Sequence, residues 1–391
     1  MKELELYVHI PFCIRKCNYC DFLSAPADLE TIGAYMRQLR WEIAAAASYY
    51  RGKVTTIFIG GGTPSLLLPQ QVTELMETIE QNFQVCADAE ITIECNPGTM
   101  IKDKLRAWKE CGINRLSIGL QSADDEELKL LGRIHTYGEF VSNYESAREI
   151  GFGNINVDII SGLPGQKIST YEHTLQEVLS LRPEHISAYS LIIEEGTPFY
   201  KRYRQAELLR EAGEEQTLLP NEEEDRRMYA MTKELLQSGG FCRYEISNYA
   251  LKGFCCRHNI GYWTRKNYLG LGLGAASLID NERFHCPKDL KQYLKICFKD
   301  AQDVDGGWHT SREKLDLQAQ MEEFMFLGLR MMCGIATERF REQFSCDIEE
   351  VYGPILEKQL KQGLIQKTET GYKLTEYGID ISNYVMAEYI R

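Results

Sequence analysis

The chain has 391 residues, 44% of them hydrophobic and 26% charged, which are globular values and argue against a disordered or fibrous chain. Its 44 Lys and Arg face 57 Asp and Glu, and the resulting net charge of −13 is a poor match to phosphate backbones, so bulk nucleic-acid binding is not expected. No apolar run reaches transmembrane length, and residues 1–10 lack the basic start and apolar core of a signal peptide, so a cytoplasmic chain without an integral membrane segment is expected. The 13 cysteines are an odd number and cannot all pair, so in a reducing compartment they read as buried thiols or metal ligands.

In chain order, strand-like runs at 4–10, 55–60, 90–95, 115–121, 154–160 and 185–193 alternate with helical patterns at 29–50, 69–83, 101–111, 137–150 and 169–181. Several strands read as continuous apolar runs, as expected for a parallel sheet covered on both faces. Ser169 reads as a helix cap, and Gly112 and Gly151 fall just past helix ends. Six strand–helix repeats predict right-handed βαβ units closing into a partial (β/α)6 barrel over residues 1–240, with functional groups at the carboxyl ends of the strands. The charged stretch 201–227, with its Glu222–Asp225 acidic run, reads as a solvated helix and linker leading into a helix at 228–237. A connecting segment spans 241–317. Residues 318–391 read as helix, helix, hairpin (363–365 and 372–374) and final helix, a small winged-helix-like α+β module. With 8 basic against 12 acidic residues, that module is expected to pack or interact rather than read DNA.

Cys13, Cys17 and Cys20 lie directly after the first strand, and three thiols within eight residues can converge on one inorganic centre. Zinc is one reading of closely spaced cysteines, but structural zinc takes four protein ligands and no second cysteine pair follows at matching spacing. A 4Fe–4S cluster held by three cysteines keeps one iron open for chemistry. Gly60, Gly61 and Gly62, followed by Thr63 and Pro64 after the second strand, let the backbone approach a ligand closely. Glu94, Gln121 and Asp158 end, or lie late in, three successive strands on the same side as the cysteines. A carboxylate on a buried strand needs a partner or it costs several kcal/mol, roughly, in desolvation.

The Cys-x-x-x-Cys-x-aromatic-Cys loop after strand one resembles that of the radical S-adenosylmethionine (radical SAM) superfamily. In that superfamily SAM chelates the open iron, and one electron from the cluster cleaves the sulfonium to a 5′-deoxyadenosyl radical. The stretches 6–13, 60–64, 93–97, 115–121 and 156–164, together with the terminal module, are similar in order to the oxygen-independent coproporphyrinogen III oxidase (HemN) group. Carried over by position, the resemblance implies Cys13, Cys17 and Cys20 as cluster ligands. It implies Tyr7 and Tyr19 near SAM, and Gly61, Gly62 and Thr63 along its methionyl amino end. Glu94, Gln121, Arg133 and Asp158 would complete the SAM pocket or a second ligand pocket beside it, although an arginine in the context of Arg133 is more often a surface cation.

Two features separate the chain from the oxidase. The oxidase carries a further cysteine where this chain has Phe22. The stretch from Cys256 to Trp263, with His-Asn-x-x-Tyr-Trp, is similar to the signature of the heme-chaperone branch of the group, as is the Tyr-Glu-Ile-Ser run at 244–247. His258 offers an imidazole for axial ligation of heme iron, and Tyr262 and Trp263 offer flat surfaces for a porphyrin. Read without the resemblance, His258 and Asn259 pair in a turn and the aromatics are core. Many relatives carry a histidine where this chain has Ala276, His9 belongs to the shared strand-one motif, and Cys255 and Cys286 read as buried thiols. The resemblance therefore implies a heme chaperone that binds heme, a 4Fe–4S cluster and SAM, with heme-acceptor proteins and a one-electron donor as partners. The alternatives are coproporphyrinogen III oxidation and another radical SAM modification of a tetrapyrrole.

Overall fold

The computed structural model describes residues 2–298 and 308–390. Six parallel strands, β1 (Glu3–Ile10), β2 (Lys53–Gly61), β3 (Gln84–Cys95), β4 (Arg115–Gln121), β5 (Ile155–Ser161) and β6 (His185–Ser190), lie side by side in chain order. Between them run helices α1 (Leu29–Tyr49), α2 (Pro69–Asn82), α3 (Lys102–Glu110), α4 (Asp125–Leu131), α5 (Tyr137–Ile150) and α6 (Ile168–Leu181). This is the partial (β/α)6 barrel. The strands differ from the expected all-apolar type. Leu6, Val8, Ile57, Ile59, Leu116, Ile118, Val157 and Ile159 are fully buried in the core shared with the helices. The alternate positions, among them Glu5, His9, Glu94, Ser117, Asn156, Asp158 and His185, carry polar groups to the other face. Alternation along each strand separates an apolar helix-facing layer from a polar interior.

Helix signals in the chain held with local exceptions. Ser169 lies inside the first turn of α6, because the cap is Lys167, whose backbone N–H donates to the Thr170 hydroxyl. Gly151 caps α5. The acidic run 222–225 is not linker: helix α7 (Pro198–Glu211) is followed by α8 (Glu222–Ser238), which opens on those four residues behind an Asn221–Glu224 capping box. Carboxylates in a first turn are favoured by the helix dipole, which draws the start back from residue 228.

Strands within 242–285 and 310–314 extend the barrel's own sheet. The strands are β7 (Cys242–Arg243), β8 (Asn248–Ala250), β9 (Tyr268–Leu271), β10 (Ala276–Ile279), β11 (Glu282–His285) and β12 (Thr310–Lys314). β8 and β7 add antiparallel beyond β6, β9 pairs parallel with β1, and β10 to β12 continue outward, giving twelve strands among the described residues. Helix α9 (Arg257–Trp263) leaves this run and packs against β2.

A second core gathers Met321, Phe324, Phe340, Tyr352, Leu364, Tyr372 and Tyr389. Three helices precede its hairpin rather than the expected two: Leu317–Gly328, Thr337–Phe344 and Ile348–Lys361. The second and third are separated by Ser345, whose backbone is left-handed (φ 58°). The hairpin is Ile365–Lys367 with Gly371–Leu374, and Ile335–Ala336 pairs on its outer edge. This module grips α9 and its flanks. Arg265 donates to Glu323 at 2.9 Å with both side chains buried, Arg339 donates to the Thr264 carbonyl at 2.6 Å, and the Arg330 guanidinium lies 4.3 Å from the Trp263 ring centre.

Helix α4, seven residues long, was too short to show as a periodic pattern. Asp124 caps it, its carboxylate accepting from the backbone N–H groups of Glu126 and Glu127. Asp124→Ala is expected to cost about 1 kcal/mol of unfolding stability, read as a lowered urea midpoint with an unchanged m-value.

Candidate functional site

The loop between β1 and α1 carries Cys13, Cys17 and Cys20, and local hydrogen bonds hold it over the carboxyl ends of the strands. The Asn18 N–H donates to the Leu131 carbonyl at 2.9 Å, Asn18 Nδ2 to the Leu130 carbonyl at 2.8 Å, and Arg15 to the Gly132 carbonyl at 2.8 Å. The end of α4 has carbonyls without helical partners, and the cysteine loop takes them. On the other side, His9 Nε2 lies 2.9 Å from the Leu23 carbonyl, while its Nδ1 meets Tyr7 OH at 2.9 Å. Gly61 adopts φ 114°, and a Cβ there would meet the His9 ring at 2.6 Å. Gly62 donates its N–H to the Ile10 carbonyl at 2.8 Å, and a Cβ on it would strike the Phe12 backbone. The glycine run is therefore needed for two loops to pass at contact distance.

All three thiols are free, and together they border one cavity. Tyr19, Gly61, Gly62, Thr63, Glu94, Gln121, Arg133 and Asp158 also line it, so eight of the nine residues carried over for SAM meet in one place. Tyr7 is the ninth. It is not in the lining and reaches the loop only through His9. Arg133 is not a surface cation: it donates to the Gly119 carbonyl at 2.7 Å and Asn96 Oδ1 at 2.6 Å, with its Nη1 3.6 Å from Cys17 Sγ. Gln121 has φ 75°, an uncommon left-handed value for a non-glycine residue, at a break in the β4–β5 register.

Sequence reasoning missed Asn96, Ser117 and Gly119, which also line the cavity. Ser117, Gly119 and Gln121 alternate along β4, so the period of two was the available signal. Asn96 joins Thr63 to Arg133, donating to the threonine hydroxyl at 2.8 Å. Phe22, on the cysteine-loop rim, is 61% exposed and presents an apolar ring to solvent.

The cavity's charges are unusual for a barrel interior. Burial, with a smaller contribution from the Asp158 charge, pushes the Glu94 carboxyl up to about 7, although the Gly61 N–H donating at 2.9 Å pulls the other way. Burial likewise raises Asp158, which accepts from Asn156 Nδ2 at 2.8 Å and Ser117 Oγ at 3.3 Å. Burial also pushes the Cys13 and Cys20 thiols up. Two carboxyls, a guanidinium and three thiols around one cavity form a donor set that fits a cysteine-held iron–sulfur centre beside a zwitterionic, cationic ligand.

Comparison with known proteins agrees. The Radical SAM superfamily model matches residues 7–178, and the HemN C-terminal domain model matches 315–381. The heme chaperone HemW of Bacillus subtilis is 34% identical over 98% of this chain and 98% of its own length. The chain belongs to the HemW family. HemW of Escherichia coli is 32% identical over 97% of this chain and 96% of its own length. The Escherichia coli coproporphyrinogen III oxidase HemN, a radical SAM enzyme, superimposes with a TM-score of 0.82 over 99% of this chain and 90% of its own, at 24% identity, and so shares the fold. The radical SAM relationship implies a 4Fe–4S cluster and SAM for HemW-family chains.

The His-Asn-x-x-Tyr-Trp stretch forms α9, and none of its residues lines the cysteine cavity. Instead α9 lies against the amino-terminal half of the strands. Glu90 accepts from the N–H groups of Arg257 at 3.0 Å and His258 at 3.1 Å. His258 is buried, its Nδ1 2.7 Å from Thr56 Oγ1, its Nε2 3.0 Å from Tyr262 OH and its ring stacked on Phe58. Burial pulls its pKa down to about 3, so the ring is neutral. Both ring nitrogens are hydrogen-bonded within the chain. Tyr262 and Trp263 are half-buried.

Glu94 yields a pH test. Its raised pKa means that the folded chain retains a proton the unfolded chain releases, so stability falls as pH rises from about 4.5 to about 7. Glu94→Gln, which still offers an acceptor to Gly61, is expected to gain on the unsubstituted chain across that window, to about 3 kcal/mol at its upper end. Urea denaturation of both proteins at stepped pH measures the difference, and parallel curves would remove the assignment.

Proposed function

We propose that this chain is a heme chaperone built on a radical SAM scaffold, acting in the cytoplasm and passing heme to acceptor proteins. The observation that carries the radical SAM part is the meeting of Cys13, Cys17 and Cys20 with Glu94, Arg133 and Asp158 around one cavity. The heme part rests on full-length likeness to heme chaperones and on Phe22 in place of the oxidase's further cysteine.

In this reading the three thiolates hold a 4Fe–4S cluster, and Arg133, beside Cys17, offsets part of their negative charge. Gly61, Gly62 and Thr63 border the amino end of SAM, and Tyr19, Glu94, Gln121 and Asp158 enclose the rest, with Tyr7 supporting them through His9. When bound, cluster and SAM supply one-electron chemistry from an external donor. The chain's own groups bind and orient, and burial favours the protonated form of the Glu94 and Asp158 carboxyls.

The heme segment is His258, Tyr262 and Trp263, with ring surface available from Tyr262 and Trp263 and His258 fixing the turn. Residues 1–240 would form the radical SAM unit, 241–317 the heme-bearing connection and 318–391 the module that holds it.

Anaerobic reconstitution followed by parallel heme titration and coproporphyrinogen assay tests the reading. Heme uptake without conversion of coproporphyrinogen is expected. Decarboxylation with release of 5′-deoxyadenosine would replace the chaperone by the oxidase. Cys17→Ala is expected to lose the cluster's iron, sulfide and visible absorbance while retaining the fold, and full iron content would show another ligand set. His258→Ala is expected to lower stability and leave SAM binding and the axial-ligand signature of bound heme unchanged. A changed signature would assign ligation to His258.

A further inference from the structure

Outside the cysteine cavity, three ligand-bearing side chains far apart in sequence meet on the helix side of the sheet. Glu42 comes from the middle of α1, Cys286 directly follows β11, and His309 directly precedes β12. All three are buried, and a carboxylate oxygen, the thiol sulfur and an imidazole nitrogen lie within 4.8 Å of one another. Glu42 Oε1 is 3.0 Å from Cys286 Sγ.

The surroundings favour a cation. The hydrogen bonds to the Glu42 carboxylate come from neutral donors: Cys286 Sγ, the Gly272 N–H at 2.9 Å and Tyr293 OH at 2.5 Å. A carboxylate buried among neutral groups must keep a proton or gain a positive partner. Thiolate plus carboxylate cancels the charge of a divalent ion, and a neutral imidazole completes an O, S, N set of the kind zinc takes. In a tetrahedral zinc site such atoms are about 3.3–3.6 Å apart, so the Glu42–Cys286 pair at 3.0 Å opens slightly and the other separations, within 4.8 Å, close by at most about 1.5 Å. Tyr50 OH lies 3.4 Å from His309 Nδ1 and supplies the outer hydrogen bond that orients ligating imidazoles.

We propose that Glu42, Cys286 and His309 bind one divalent ion of the zinc class, separate from the cysteine-loop centre, pinning the outer strands β10–β12 to α1. The ion replaces two protons, that of the Cys286 thiol and the one the buried Glu42 carboxyl keeps in its absence, and both leave to solvent.

The test uses the full chain with Cys13→Ser, Cys17→Ser and Cys20→Ser, so that the loop thiols do not compete, and titrates it anaerobically with Co²⁺. One equivalent should bind, with a thiolate-to-cobalt charge-transfer band that Zn²⁺ abolishes. Cys286→Ser in the same background should remove the band. The isosteric Glu42→Gln, with its fold checked by circular dichroism, should weaken binding by more than the ~10–100-fold that loss of an outer partner costs. Failure to bind above the Cys286→Ser level, or a band that survives Cys286→Ser, overturns the proposal. So does unchanged affinity in a folded Glu42→Gln chain, leaving Glu42 as a protonated hydrogen-bond acceptor.

Discussion

The structure depends on pairing the polar groups that its parallel strands turn inward. A barrel of six strands that is not closed on itself leaves a polar interior open at both ends, and every buried donor, acceptor or charge there costs free energy until it finds a partner. At the amino-terminal end the chain supplies partners for several of these groups from its own later residues, while the Glu5 carboxyl stays buried without a hydrogen bond. Glu90 takes the first N–H groups of α9, Thr56 takes His258, and His185 lies between Asn156 and Tyr244 at 2.6 and 2.8 Å. At the carboxyl end the corresponding groups face a cavity, and there the site is built.

The two ends are connected by hydrogen bonds through the interior. Asp158, in the cavity wall, accepts from Asn156. The oxygen of Asn156 meets His185, His185 meets Tyr244 OH, and that hydroxyl accepts from the Cys256 N–H at the start of α9. The terminal module in turn grips α9 through Arg330 and Arg339. Helix α9 is thus the joint between barrel interior and terminal module, which gives a physical reason for a compact polar–aromatic motif at this point apart from any ligand.

Much of the architecture was legible before the structure. The six strands and five of the barrel's helices follow from alternation and helical period, and the cysteine spacing singled out the loop that borders the cavity. What escaped was short or conditional on context. Helix α4 has too few residues to display a period, yet its carbonyls hold the cysteine loop. The acidic run at 222–225 looked like solvated linker because its favourable interaction, with a helix dipole, exists only once the helix has formed. Arg133 resembled a surface cation because nothing local reveals that Asn96 and the Gly119 carbonyl will surround it.

By itself, the sequence determined the order of the six barrel strands, the parallel barrel and the cysteine loop. These depend on periodicity and short-range spacing, which a linear chain carries explicitly. Tertiary structure alone decided where polar side chains find their partners. It placed His258 between Thr56 and Tyr262, brought Arg133 beside Cys17, and set Glu42 against Cys286 across 244 residues of chain. Such pairings come from strands and helices packing at long sequence separation. The desolvation that makes them necessary is set by burial, which no local pattern of residues specifies.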